Sequence, residues 1–95
     1  MYAVFTEVNM PPGIPADVAA NGLRANAVPS VRAAGASGAY WLAPCDGRLI
    51  GMVLFDDETA ARAAAKGLDV GGRAENAPAG VTFRTVQVQQ VIAHL

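Results

Sequence analysis

The chain has 95 residues and a formal charge of −1 at pH 7, the size of one domain built on one hydrophobic core. A hydrophobic fraction of 53% with 16% charged residues excludes a disordered tail, and seven basic against eight acidic residues leave no net field to attract nucleic acid or an anionic membrane. A single cysteine and a single histidine exclude an intramolecular disulfide, an iron–sulfur cluster and a multi-His or Cys-based metal site within one chain.

Tyr2 to Val8 predicts a first strand: Tyr2, Val4, Thr6 and Val8 fall on one face, and Ala3, Phe5 and Glu7 on the other. Pro11-Pro12-Gly13 stops its ladder, because neither proline can donate to it. A helix is expected from Ala16, with Pro15 ahead of it, Asp17 in its first turn, and Val18, Ala19, Leu23 and Ala27 along one face. Pro29 should break this helix, leaving a short second turn from Val31 to Ala34 before Gly35-Ala36-Ser37-Gly38.

Two apolar runs follow, Ala39 to Pro44 and Leu49 to Phe55, with Asp46-Gly47 between them. An Asp-Gly pair in that position is a strong hairpin signal, because a type I′ turn requires positive φ at both central residues. A two-residue loop there sets Cys45 opposite Arg48, Ala43 opposite Ile50, Trp41 opposite Met52 and Tyr40 opposite Val53. One face then carries Ala39, Trp41, Ala43, Ile50, Met52 and Leu54, and the other Tyr40, Leu42, Pro44, Leu49, Gly51, Val53 and Phe55. Both faces are apolar.

Asp56 or Asp57 caps a second helix, Glu58 to Lys66, which stops at Gly67. Asp69 to Gly80 reads as a loop, and its Gly71-Gly72-Arg73 lacks the flanking strand and helix of a phosphate loop. Val81 to Gln90 is the last strand, with Val81, Phe83, Thr85, Gln87 and Gln89 alternating against Thr82, Arg84, Val86, Val88 and Gln90. No signal peptide opens the chain and no apolar run spans a membrane, so the cytoplasm is the expected compartment.

The order strand, helix, hairpin, helix, strand is the ferredoxin-like βαββαβ unit, an α+β domain over residues 1–95 with a four-stranded antiparallel sheet. Helices cover one sheet face in that arrangement. The other face is usually polar, yet here the hairpin is apolar on both. A chain this short buries only ~60–65% of its unfolded surface, and an exposed apolar patch of this kind is rare on monomers. A symmetric homodimer, closed sheet to sheet, is therefore expected.

Three stretches carry a resemblance: Tyr2 to Val8, Val31 to Leu42, and Phe55 to Ala65. In these the chain resembles the dimeric α+β barrel superfamily, which includes antibiotic-biosynthesis-type monooxygenases and small stress-response proteins. The resemblance implies a dimeric α+β barrel, and among its oxygenases a metal-free, flavin-free reaction on an aromatic or polyketide-like substrate held between sheet and helices. The haem-degrading branch uses an Asn on strand one and a Trp and a His on the second helix. Asn9 could match the first, but Glu58–Lys66 contains neither of the others, which argues against haem degradation.

The candidate site residues follow from side-chain chemistry. Asn9 could orient a ligand through its amide or cap the turn beside it. Tyr40 and Trp41 lie on opposite faces, so one of them faces the helices, as packing or as a wall for a planar aromatic ligand. His94 and Arg84 are the weak catalytic candidates, for proton transfer and for holding a carboxylate or phenolate. Gln87 and Gln89 mark a solvated edge or line a wet cavity, and Cys45 has no base near it in sequence. No acid–base constellation emerges. The expected function is a homodimeric small-ligand-binding or structural protein without cofactor; the alternative is a cofactor-independent monooxygenase-like enzyme.

Overall fold

The computed structural model describes residues 1–74 and 77–95. Its elements are β1 (Tyr2–Asn9), α1 (Ala16–Ala25), α2 (Ala27–Ala33), β2 (Gly38–Trp41), β3 (Arg48–Phe55), α3 (Glu58–Lys66) and β4 (Thr82–Gln90). The four strands form one open sheet in the order β2-β3-β1-β4, with every neighbouring pair antiparallel. This is an α+β architecture compatible with a ferredoxin-like fold. Among the described residues no helix is long and apolar enough to cross a membrane.

Alternation along β1 sends Val4, Thr6 and Val8 to the helix-covered side, where all three are buried. Below α3, Val4, Val53 and Phe55 pack with Ala61, and neither Phe55 nor Ala61 has any exposed surface. The small side chains of α3 let its backbone approach this layer closely. The helix begins at Asp57, whose Oδ1 accepts from the Ala60 N–H at 2.8 Å, satisfying one of the unpaired first-turn donors. One turn on, Glu58 and Arg62 pair across the exposed face at 2.7 Å. Asp57→Ala should cost about 1 kcal/mol of stability, measurable by urea denaturation.

The expected turn is present: Asp46 and Gly47 both have positive φ (53° and 73°), and Cys45 and Arg48 exchange both backbone hydrogen bonds. Beyond it the register departs from the simple ladder. Trp41 pairs with Gly51 and Tyr40 with Met52, one residue away from the expected partners Met52 and Val53. Between the Leu42 N–H···O=C Ile50 bond and the Cys45–Arg48 pair, Ala43 and Pro44 stand opposite Leu49 alone. That two-against-one arrangement is a β-bulge, placed where Pro44 has no N–H to contribute. A one-residue shift exchanges the faces of β2. Trp41 joins Leu49, Gly51, Val53 and Phe55 under the helices, and Tyr40 joins Ile50, Met52 and Leu54 on the open side.

A second irregularity lies between β1 and β4, where Glu7 pairs with Thr85 but Val8 pairs with Phe83. Arg84 is the extra residue, so the expected strict alternation from Val81 to Gln90 fails there. Phe83 thereby turns to the same side as Val86 and Val88, and all three pack into the core.

The first helix breaks earlier than Pro29, at Asn26 (φ −122°, ψ −63°). Proline lacks an N–H and its ring opposes the carbonyl four residues back. Breaking at Asn26 places Pro29 in the first turn of α2, where backbone N–H groups have no intrahelical acceptor anyway. The segment read as loop also gains structure. Gly71 and Phe83 are joined through the Gly71 N–H and Phe83 C=O at 2.7 Å, Phe83 N–H bonds Gly72 C=O, and Ala74 N–H bonds Val81 C=O. These residues fold back along the start of β4, and Val81 is buried beneath them.

Candidate functional site

While α3 lies directly on the sheet, no residue of α1 or α2 is fully buried. Their apolar side chains instead face a cavity of about 360 Å³ left between the helix pair and the sheet, within the size range of small-molecule sites. Its floor is the helix side of the sheet, including Thr6, Val8, Leu49, Val53, Trp41 and Phe83. Leu23 of α1 and Val31 of α2 form the roof, Val18, which is 55% exposed, stands at its rim, and Ala74, Ala77 and Pro78 line one end. The Arg73 guanidinium holds that end by donating to the Ala77 carbonyl, its Nε at 2.8 Å.

Trp41 reaches this floor because its partner on β3 is a glycine. A Cβ at Gly51 would lie 2.6 Å from Trp41 Cδ1, 2.7 Å from its Nε1 and 2.9 Å from Thr6 Oγ1. The indole therefore rests on bare backbone, with the Thr6 hydroxyl beside it, and Thr6 Oγ1 donates only a long bond of 3.5 Å to the Gly51 carbonyl. Asn26 and Ser30 add polar atoms on the helix side. Among the described residues the lining contains no Asp, Glu, Lys, Arg, His, Cys or Tyr.

Of the residues singled out by sequence, Trp41 alone lines the cavity. Tyr40 is 64% exposed and stands on the opposite sheet face. The Asn9 amide donates to Thr82 Oγ1 at 3.3 Å across the β1–β4 pair, away from the cavity. Arg84 is exposed at its bulge, Gln87 and Gln89 are exposed on β4, and His94 is exposed in the tail beyond β4. Cys45 is exposed in the hairpin turn. Asn9, Tyr40, Trp41, Arg84 and His94 thus do not converge. Sequence reasoning passed over Thr6 and Gly51; a glycine inside an apolar strand, signalling close approach by a neighbour, was the available clue.

The open sheet face divides in two. Ala3, Phe5, Tyr40, Ile50, Met52 and Leu54 make the half over β1, β2 and β3 apolar, with Tyr40 and Met52 its most exposed members. Over β4 the face is polar. At their junction Arg48 Nη1 meets Glu7 Oε2 at 2.5 Å, and Thr85 Oγ1 donates to Glu7 Oε1 at 3.1 Å. These two donors, Arg48 first, hold the Glu7 carboxyl below its ordinary value. A depressed carboxyl stabilises the fold above its unfolded pKa and loses that contribution as pH falls through the folded one. Stability should therefore decline below about pH 4.3, the usual Glu value, and Glu7→Gln should make that decline shallower in acid titrations followed by circular dichroism.

Comparison of the chain with family models, curated proteins and solved structures returns no match. Among the described residues there is also no cluster of three or more His, Cys, Asp or Glu placed to hold a metal ion.

Proposed function

We propose that this chain is a homodimeric small-ligand-binding protein of the dimeric α+β barrel type, acting without catalysis. The cavity carries the reading: about 360 Å³ of mainly apolar space, with no ionisable side chain among its described lining residues. A base or acid of this chain acting on a bound substrate would need to reach into that space, which favours binding over the oxygenase alternative. The ferredoxin-like assignment is supported by β1 lying between β3 and β4, with α1 and α2 read as one interrupted crossover. Pairing is supported by the apolar half of the open face, which a second copy would cover by a two-fold arrangement.

Two measurements test the proposal. Sedimentation at micromolar concentration should find a dimer, and Met52→Asp, which places a charge in the middle of the apolar half, should yield a folded monomer. A stable wild-type monomer would overturn the pairing. A thermal-shift screen with planar aromatics and haem should find a ligand that stabilises the protein by ~2.7 kcal/mol at 100 times its Kd, an effect that Trp41→Ala removes. A screen in which neither these compounds nor aliphatic alcohols and acids bind would overturn the binding function.

A further inference from the structure

We infer that the cavity selects uncharged, mainly apolar molecules bearing one hydroxyl or carbonyl oxygen, which Trp41 Nε1 and Thr6 Oγ1 receive above Gly51. This rests on the ligand-binding reading and narrows it to a chemical class.

Trp41 Nε1 and Thr6 Oγ1 lie 2.7 and 2.9 Å from one and the same point, the position a Cβ at Gly51 would take. They are therefore neighbours on the cavity floor. Among the described residues the indole N–H has no hydrogen-bond partner, and it is not sealed from its surroundings. The Thr6 hydroxyl has its two lone pairs uncommitted and makes only the 3.5 Å contact as a donor. A donor with no acceptor next to an oxygen with spare acceptor capacity is matched by a ligand hydroxyl, which can accept from the indole and donate to Thr6. A ligand carbonyl accepts from the indole, and from the Thr6 hydroxyl when that turns away from its long bond to Gly51.

Charge is selected against by what surrounds this pair. An ionised carboxylate entering the cavity gives up its hydration, and the described lining offers neither guanidinium nor ammonium in return. The same oxygen in an alcohol gives up far less and recovers it from two neutral partners. The discrimination is therefore carried by a penalty on the wrong ligand as much as by contacts to the right one.

Trp41 is the only tryptophan and lies on the helix side of the sheet, so its emission reports on this cavity and on the smaller hollow beside Arg32 and Ala36 that it also lines. Thr6 borders the cavity and not that hollow, so the Thr6 variants tell the two apart. The probes are 1-decanol and decanoate, titrated at pH 8 into the 95-residue chain. Decanol should change the Trp41 emission saturably, and decanoate should bind at least ~10-fold more weakly. Thr6→Val should weaken decanol ~3–10-fold, as expected for one lost neutral hydrogen bond, and Thr6→Ser should restore it. Equal affinities for alcohol and carboxylate, or an unchanged decanol affinity in a folded Thr6→Val protein, would overturn the inference and leave cavity binding standing. Emission unmoved by both probes would overturn it too. If the aromatic screen also fails, the ligand-binding reading falls with it.

Discussion

Phe55→Ala is expected to remove about 3–5 kcal/mol of folding stability, the usual loss for truncating a buried aromatic side chain. Phe55 has no exposed surface, and it joins the layer of Val4 and Val53 to Ala61 of α3. It sits in the part of the molecule where helix and sheet are in direct contact. The second buried cluster, Val8, Leu49 and Val81 with Ala19 and Leu23 of α1 against it, borders the cavity and contains no buried aromatic side chain to match Phe55. Domains of this size are stable by only about 5–15 kcal/mol, so this one truncation would take a large share. Urea denaturation of the variant beside Phe55→Leu, which retains much of the volume, provides the measurement. A loss under 1 kcal/mol would mean that stability does not reside in the layer beneath α3.

Gly51→Ala is expected to disrupt the cavity floor out of proportion to the one methyl it adds. The new Cβ would fall within 3 Å of both Trp41 and Thr6, so the indole must leave its place on the backbone. Overpacking of this kind costs about 1–3 kcal/mol, partly offset by the ~0.4–1 kcal/mol that Ala recovers through the less flexible unfolded chain. The functional effect should exceed the loss in stability. A displaced indole fills or vacates the cavity floor, and ligand binding is lost while the fold survives. The single tryptophan makes this visible: its emission should shift in the folded variant. Wild-type emission and wild-type ligand affinity together would show that Trp41 is not held by Gly51.

Much of the fold is legible in the residues themselves. Asp46-Gly47 dictates its turn because few other pairs accept positive φ twice, and Asp57 announces α3 because a carboxylate meets a free first-turn N–H there. The alternation of Val4, Thr6 and Val8 marks the buried side of β1. What escapes a reading by pattern are the positions where one residue is inserted into a ladder. Pro44 carries such a signal, since a proline at the end of the first apolar run already argues against continuous pairing; Arg84 carries none. The site was less legible than the fold. Asn9, Arg84 and His94 stand out because they can bond or move protons, whereas the cavity is made of apolar side chains whose separation from the sheet is a tertiary property. Trp41 is placed on its floor only through the bulge at Ala43-Pro44, which local alternation does not foresee.

The absence of any fully buried residue in α1 and α2 also has a dynamic consequence. Segments that bury little apolar surface open at low free-energy cost, without the rest of the domain unfolding. The amides of Ala16–Ala25 and Ala27–Ala33 should therefore exchange with deuterated solvent well before those of β1 and β3, and a guest in the cavity should slow them selectively. On this view, the roof doubles as the doorway, and the rate at which a guest departs reflects how often the helix pair lifts.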